Sequence, residues 1–483
     1  MVERLRARDL AFLTAETVVA PRHNATVEVF EPGGAGFDHA RLLELVSDRI
    51  SFVPRYRQRL VEVPGRLATP VWVDDEHFDL GYHVRRSALP RPGTDDQLRE
   101  LVARIVSRRL DRSRPLWEIY VVEGLAEGRF ALLSKSHQAL VDGVHTVDLG
   151  QLLLDSVAEP RPLEPDDWTP RSIPSALRLV AGAVRDSVTA PATFVDTVSV
   201  TTGSALRTAE RASSRAKVVA DALTGRRPKR RAMAGPLSQQ RRVVTVETEL
   251  DDYRRIREAH GGTVNDVVLA TVAGGLRAWL MTRGEALGGT RHMRALVPVS
   301  VVDEELEATS LGQIAPHYVN LPVGEASPLV RLHQVSYSFQ AHADTGRSVA
   351  ADRIAGIAGF APTTFHAIAA RVAATEVRRG YQLSVTNVPG PQTPLYLAGA
   401  RMVATYPVPP LLEDHPLAIG VTSYDGRVFY GLNADRDQLP DADLLGTCLR
   451  EALDELLSTT TATRAPRGHK RTSSRRPPRG GAT

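Results

Sequence analysis

The run Lys135-Ser136-His137-Gln138-Ala139-Leu140-Val141-Asp142-Gly143 holds the residues best placed for chemistry. Arg129–Ser134 reads as a strand and leads into it, Asp-Gly closes it, and Val144–Leu153 then takes up a helical pattern. A histidine at the end of a strand, in front of such a turn, presents its imidazole in a cleft, where it can move a proton near neutral pH. Taken alone, a His-x-x-x-x-Asp-Gly is met more often as a hydrogen-bonded structural histidine. Gln138 stands beside His137, and a neutral amide hydrogen-bonds but accepts no proton at physiological pH. Neighbours in extended backbone point to opposite faces, so His137 and Gln138 should look in different directions unless the strand has already turned. His145 reads first as a partly exposed helical histidine and second as a stand-in base.

The elements that must position this run follow from periodicity. Ala25–Phe30 alternates and is β-rich, and Trp117–Val122 and Arg129–Ser134 read as strands around a turn at Gly124–Gly128. Leu98, Leu101, Val102, Ile105 and Val106 recur at helical spacing behind a capping box at Thr94 and Gln97. After Glu159 prolines cluster, Ala/Arg-rich amphipathic stretches follow, and the basic run Arg226–Arg231 ends a helical connector. From Arg241 regular patterns resume, with Arg242–Thr248, Val264–Trp279 and Ala295–Val301 the clearest, and regular structure is expected to end near Leu457. The length of 483 residues suggests about two domains.

Composition narrows the function classes. Seven of the arginines and lysines fall in residues 461–483, which hold no acid, so the net charge of +4 comes from the tail and the body is slightly acidic. Nucleic acid is therefore not an expected partner of the folded part. A single cysteine, Cys448, excludes an internal disulfide framework, and no Cys/His cluster has zinc-ligand spacing, so no metal is expected. The charged start, Met1 to Asp9, does not read as a secretory signal, which points to the cytoplasm. The best candidate for a span, Ile354–Ala370, is short, weakly apolar and interrupted by Pro362 and His366; lying on a membrane or packing against the other domain suits it better than crossing. Gly33-Gly34-Ala35-Gly36 lacks the Lys-Ser/Thr of a phosphate loop, and no Gly-x-Ser-x-Gly elbow occurs. His23, His83, His317 and His415 are scattered and read as hydrogen-bonded or surface histidines.

The HQALVDG stretch resembles the His-His-x-x-x-Asp-Gly motif of the CoA-dependent acyltransferase superfamily and, within it, the bacterial wax ester synthase/diacylglycerol acyltransferase family. Asp79–Arg86 (DLGYHVRR), Leu89–Gly93, Leu110–Leu125 with its Pro115-Leu116-Trp117-Glu118, Gly235–Ser238, Val264-Asn265-Asp266, Ser384–Pro391 (SVTNVPGP), Leu417–Asp425 and Gly431–Asp435 resemble that family's other segments, in order. The resemblance implies an α/β fold of two chloramphenicol-acetyltransferase-like domains, each a mixed sheet flanked by helices, joined by a helical linker. The expected layout is an N-terminal domain over 1–160, a helical and basic linker over 161–240, a C-terminal domain over 241–458 and a disordered basic tail over 459–483.

It also implies an O-acyltransferase that moves a long-chain acyl group from acyl-CoA to diacylglycerol or a long-chain alcohol, without a covalent enzyme intermediate. No cofactor is implied, acyl-CoA being a co-substrate, and lipid substrates imply peripheral contact with the inner face of the cell membrane or a lipid droplet, with Ile354–Ala370 and Ala176–Val200 as surfaces. The motif's second histidine is the family's general base, and here Gln138 occupies that position; His137, Asp142 and Gly143 match the rest of the catalytic motif. Asp142 is read as an ion-pair partner holding the motif loop and Gly143 as the tight turn. Asn265 and Asp266 are read as opening a helix, with a secondary role at the substrate cleft, and Asn387 as touching substrate or the motif loop. Glu118 is read as a paired glutamate beside a buried Trp117.

Gln138 leaves three readings open: weakened catalysis, rescue by His137 or another base, or loss of transfer with acyl-CoA or lipid binding kept. The last makes a non-catalytic binding protein on the same scaffold the rival function. Condensation domains of peptide synthetases share the scaffold and form a third option, to which the motif flanks fit less well.

Overall fold

A computed structural model describes residues 3–33, 37–140, 149–159, 168–189, 233, 235–285, 287, 291–301, 313–343, 362–376 and 380–462. The first half runs α1 (Ala7–Ala15), β1 (His23–Glu31), α2 (His39–Ile50), β2 (Gln58–Val61), β3 (Val71–Asp74), α3 (Leu80–His83), β4 (Val84–Ala88), α4 (Asp95–Val106), β5 (Trp117–Glu123), β6 (Phe130–His137), α5 (Leu149–Leu153) and α6 (Ala176–Thr189). The second runs β7 (Arg241–Glu249), α7 (Leu250–His260), α8 (Val264–Thr282), β8 (Met293–Val301), β9 (Gln313–Leu321), α9 (Pro328–Ala343), α10 (Pro362–Thr375), β10 (Leu383–Pro389), β11 (Tyr396–Leu397), β12 (Ala400–Val408), β13 (Leu417–Tyr424), β14 (Arg427–Asp435) and α11 (Ala442–Ala462).

These strands form two six-stranded mixed sheets, ordered β11-β12-β1-β6-β5-β4 and β7-β14-β13-β10-β8-β9, besides the hairpin β2-β3. The expected α/β fold, two sheet-rich units flanked by helices, is what the chain adopts. The strand predictions at Ala25–Phe30, Trp117–Val122, Arg242–Thr248 and Ala295–Val301 each fall inside an observed strand, and that at Arg129–Ser134 starts one residue before β6. Runs of β-branched, aromatic and other apolar residues mark them, because sheets covered by helices bury both faces of their central strands. The capping box of α4 closes as expected, Thr94 Oγ1 accepting from the Gln97 amide and Gln97 returning the bond to the Thr94 amide.

Three expectations need correction. Residues 396–408 do not stay with the C-terminal sheet: β12 pairs antiparallel with β1 and completes the first sheet, and Met402, Ala404 and Val408 join its core. This crossing rests on two glycines. Gly420 and Gly431 face each other across β13 and β14, and a Cβ on Gly431 would lie 1.9 Å from the Pro407 carbonyl oxygen. Only a missing side chain lets the crossover strand come that near. Second, α11 continues through Ala462, so residues 459–462 belong to a helix and not to the tail; 463–483 lie outside the described residues. Third, the N-cap of α8 is Thr263, and of Asn265 and Asp266 it is Asp266 that serves the cap, closing the capping box onto the Thr263 amide.

One described helix, α8, is long and apolar enough to cross a membrane, but most of its apolar window is buried inside the protein, against α9 and α11. Of the proposed surface stretch Ile354–Ala370, residues 354–361 lie outside the described residues; the remainder lies in α10, whose His366, Ala367, Ala369 and Ala370 are buried. The packing alternative is thus the one realised: α10 lies over β10 and β9 and reaches β1 and α5 of the other half.

Candidate active site

β6 is the central strand of its sheet, paired with β1 on one side and β5 on the other, and is buried along its whole length. Its ladder to β1 ends with His137 opposite His23, and the Gln138 amide then donates to the Arg22 carbonyl at 2.8 Å. Extended pairing therefore runs one residue past the strand. Gln138 shares the face of Ser136 and Ser134, while His137 shares that of Lys135. Leu140 N–H donates back to the His137 carbonyl at 2.9 Å and begins the turn. Asp142, Gly143 and His145 fall within 141–148, outside the described residues.

The face that carries His137 is a buried polar network in which His137 Nε2 and His23 Nδ1 have no hydrogen-bond partner. The Ala139 amide donates to His137 Nδ1 at 3.0 Å, which assigns the ring proton to Nε2. Nε2 points at Glu16, whose Oε1 is 3.8 Å away. Glu16 is in turn held by Arg112 at 2.5 Å and by the Arg22 amide at 3.1 Å. Burial pushes the His137 pKa down to about 4, outweighing the pull of Glu16, so the ring is neutral at physiological pH. Burial alone would raise the Glu16 carboxyl, but His137, the Arg22 amide and Arg112 hold it below the usual carboxylate range. With two bonds to Arg112 in reach, Glu16 is the ionised member of the pair. Neither nitrogen of His137 offers a free lone pair. Nearby, His23 Nε2 bonds the Val106 carbonyl at 3.0 Å, and the buried Lys135 ammonium donates to the Arg108 carbonyl at 2.8 Å and to Glu118 at 3.4 Å. Glu118 also meets Arg85, and Trp117 donates to the Tyr56 carbonyl at 2.7 Å, as the paired glutamate and buried tryptophan predicted.

The opposite face differs. Ser134 and Ser136 of β6 and Asn24 of β1 line a cavity of about 10 Å³, room for one water-sized oxygen, closed from the second half by His366 of α10 and by Pro407 and Pro409. α10 is tied down beside it, because Arg371 donates to the Gln138 carbonyl at 2.6 Å and pairs with Asp9 of α1. Both polar atoms of the Asn24 carboxamide, both of Gln138 and Nε2 of His366 are buried without a hydrogen-bond partner. A buried polar group left so costs about 1–3 kcal/mol. Such a concentration at the end of β6 marks a place that a polar ligand completes.

Asn265 and Asn387 are brought to each other, Asn387 Nδ2 donating to Asn265 Oδ1 at 3.1 Å. Asp266 is a capping residue, accepting from the Thr263 amide and the Ser336 hydroxyl at 2.9 Å each. Along β10, Thr386 points to the α10 side, where it bonds His366, so Asn387 points to the other. The three C-terminal candidates therefore lie across a sheet from the cavity. His23, His83 and His415 bond backbone carbonyls and, like His317, are buried, as read from their scattered positions.

Sequence reasoning missed Glu16, Asn24, His366 and Arg371. For His366 a signal existed: it is the lone imidazole in an otherwise uncharged stretch, and it was read only as an interruption. Asn24 adjoins His23 in a strand whose alternation was noticed, without the polarity of its second face.

Two six-stranded sheets side by side, with a histidine-ending central strand beneath the second half, define the CoA-dependent acyltransferase architecture. The family model of the wax ester synthase/diacylglycerol acyltransferase catalytic domain matches residues 5–268, and that of the WS/DGAT C-terminal domain matches 313–457. A probable diacylglycerol O-acyltransferase (tgs1) of Mycobacterium tuberculosis strain H37Rv is 32% identical over 461 residues, 95% of this chain and 96% of its own length. Another from the same strain (tgs3) is 41% identical over 264 residues, 53% of this chain and 96% of its own. The wax ester synthase/diacylglycerol acyltransferase from Marinobacter aquaeolei VT8 superposes with a TM-score of 0.65 at 26% identity, over 95% of this chain and 100% of that one. The first condensation domain of the CDA synthetase shares the fold, with a TM-score of 0.52 at 15% identity. The chain belongs to the wax ester synthase/diacylglycerol acyltransferase family and is an acyltransferase.

Proposed function

We propose that the protein transfers a long-chain acyl group from acyl-CoA directly to the hydroxyl of diacylglycerol or a long-chain alcohol, forming triacylglycerol or wax ester and free CoA. The observation that carries this reading is the buried polar cavity at the end of β6, where the Asn24 carboxamide and Nε2 of His366 lack partners and Gln138 stands on the same face. A hydroxyl entering there meets polar groups already held in place at the end of β6, and such positioning favours its attack on the thioester. Acyl-CoA serves as co-substrate and no further cofactor is needed.

Ester formation by the purified chain, with long-chain acyl-CoA and either acceptor, tests the reading. We expect acyl-CoA-dependent ester formation by wild type, and by Gln138→His at a rate at least as high. If neither protein makes ester with either acceptor, the chain is instead a binding protein for acyl-CoA or lipid. That second reading is favoured by one feature, the amide at Gln138, and it predicts acyl-CoA copurifying near stoichiometry.

Lipid substrates place the protein in the cytoplasm at the inner face of the membrane or a lipid droplet. The contact we assign is α6, whose Leu177 is 83% exposed. Leu177→Asp should weaken cosedimentation with phosphatidylcholine vesicles, and unchanged binding removes α6 from the role.

A further inference from the structure

We infer that His366, carried on α10 from the second half of the chain, is the general base that takes the acceptor hydroxyl's proton. The inference rests on the transferase reading above and names the group that does the work Gln138 cannot. His366 is buried, and its Nδ1 lies 2.8 Å from Thr386 Oγ1. The Thr386 hydroxyl donates onward to the Ile419 carbonyl at 3.5 Å, so its lone pair accepts from Nδ1–H of the ring. That network assigns the proton to Nδ1 and leaves the basic lone pair on Nε2. Nε2 has no partner among the described residues.

The ring lines the cavity with Asn24, Ser134 and Ser136, and the cavity's volume suits one hydroxyl oxygen. Ser136 and Gln138 share a face of the same ladder, and Arg371, five residues further along α10, holds the Gln138 carbonyl. The imidazole thus stands over the sheet face to which the motif's base position belongs, approached from the facing helix instead of the strand. A base oriented by a second group, with its free nitrogen on a site for the reacting oxygen, is the arrangement proton abstraction requires.

The step balances within the two substrates. Nε2 takes the hydroxyl proton as the oxygen bonds the thioester carbonyl carbon. The tetrahedral intermediate collapses with cleavage of the C–S bond, and the imidazolium returns the proton to the departing sulfur of CoA. Asn24, unpartnered beside it, can donate to the acceptor oxygen or the developing oxyanion.

The test compares the full-length wild type with His366→Gln and with the double variant His366→Gln/Gln138→His, measuring ester formation from long-chain acyl-CoA and diacylglycerol or a long-chain alcohol. Glutamine keeps a donor for Thr386 and removes the base. The expected result is a kcat lower by ~10²–10⁴-fold in His366→Gln, with KM for acyl-CoA within a few-fold and an unchanged melting temperature. Gln138→His in the same background should restore at least about tenfold of it. An active wild type with kcat of His366→Gln within about threefold overturns the inference and leaves the transferase reading standing; the cavity then holds a structural water. A wild type that makes no ester with either acceptor removes the transferase reading and the inference with it. Should His366→Gln fail to fold, Thr386→Val, which frees the ring without altering it, is measured, and an unchanged kcat there overturns the inference.

Discussion

The two faces of the sheet at the end of β6 each carry a buried, neutral histidine, and they are wired in opposite senses. His137 accepts at Nδ1 from the Ala139 amide and turns Nε2–H toward Glu16. His366 donates from Nδ1 to Thr386 and keeps Nε2 free over a cavity. Both rings lose basicity to burial, to about 4 and about 3. The pKa therefore does not separate them. What separates them is which nitrogen is already engaged, and the Ala139 amide on one ring and the Thr386 hydroxyl on the other decide that. The match to the family's motif falls on the histidine whose lone pair is taken.

The strongest way to break this comparison is the paired substitution of the two rings. His366→Gln should lower kcat by ~10²–10⁴-fold with little change in stability, whereas His137→Gln should cost about 1–3 kcal/mol of stability and lower kcat far less. Denaturant melts and kcat on the same preparations decide it, and equal losses of kcat would erase the distinction. Next in size is Arg371→Ala, which severs the tie between the two faces. It removes the donor to the Gln138 carbonyl and leaves the buried Asp9 carboxylate without this guanidinium. Breaking a buried pair costs about 3–5 kcal/mol, read as a lower denaturation midpoint. Glu16→Gln acts on the His137 side alone. Its partner Arg112 is 43% exposed, so water takes over part of the lost contact and about 1–2 kcal/mol is expected, with kcat nearly kept.

The last effect is one the two faces share, spread over a range of pH instead of met in a single variant. The folded pKa values of His137 and His366 lie below the unfolded value of about 6.5. The unfolded chain therefore binds more protons as pH falls, and the stability from burying neutral rings, fully present above about pH 6.5, is lost toward pH 4. Each ring contributes a slope of about 1.4 kcal/mol per pH unit in that window. Denaturation midpoints from pH 7 to 4.5 should fall in wild type and fall less steeply in either glutamine variant. A flat profile would mean that neither ring is buried neutral.

Much of the fold could be read along the chain. Strands β1, β5, β6, β7 and β8 and helices α4 and α8 come from periods of two and 3.6 with caps nearby, all signals contained within a dozen residues. The site was legible only where it is local. That His137 and Gln138 face apart followed from alternation, and Glu118 and Trp117 behaved as read. Asn265, Asp266 and Asn387 owe their site roles to the family resemblance; in the structure Asn387 bonds Asn265 and Asp266 caps α8. Glu16, Asn24, His366 and Arg371 carried no local pattern that tells a site from a core.

What the sequence by itself determined is the set of elements, the order of motifs that places the chain in its family, and the glutamine, Gln138, at the position where the resemblance puts a histidine. Only the tertiary structure decided that β12 crosses into the first sheet over Gly420 and Gly431, and that α10 sets Arg371 on a carbonyl 233 residues away. The physical reason is one of range. Propensity and periodicity act through neighbours along the chain, whereas the partner of a buried ring nitrogen is chosen by whatever packing brings beside it. His366 shows the difference: its type is written in the sequence, but the free lone pair over the β6 face exists only because two distant segments close around it.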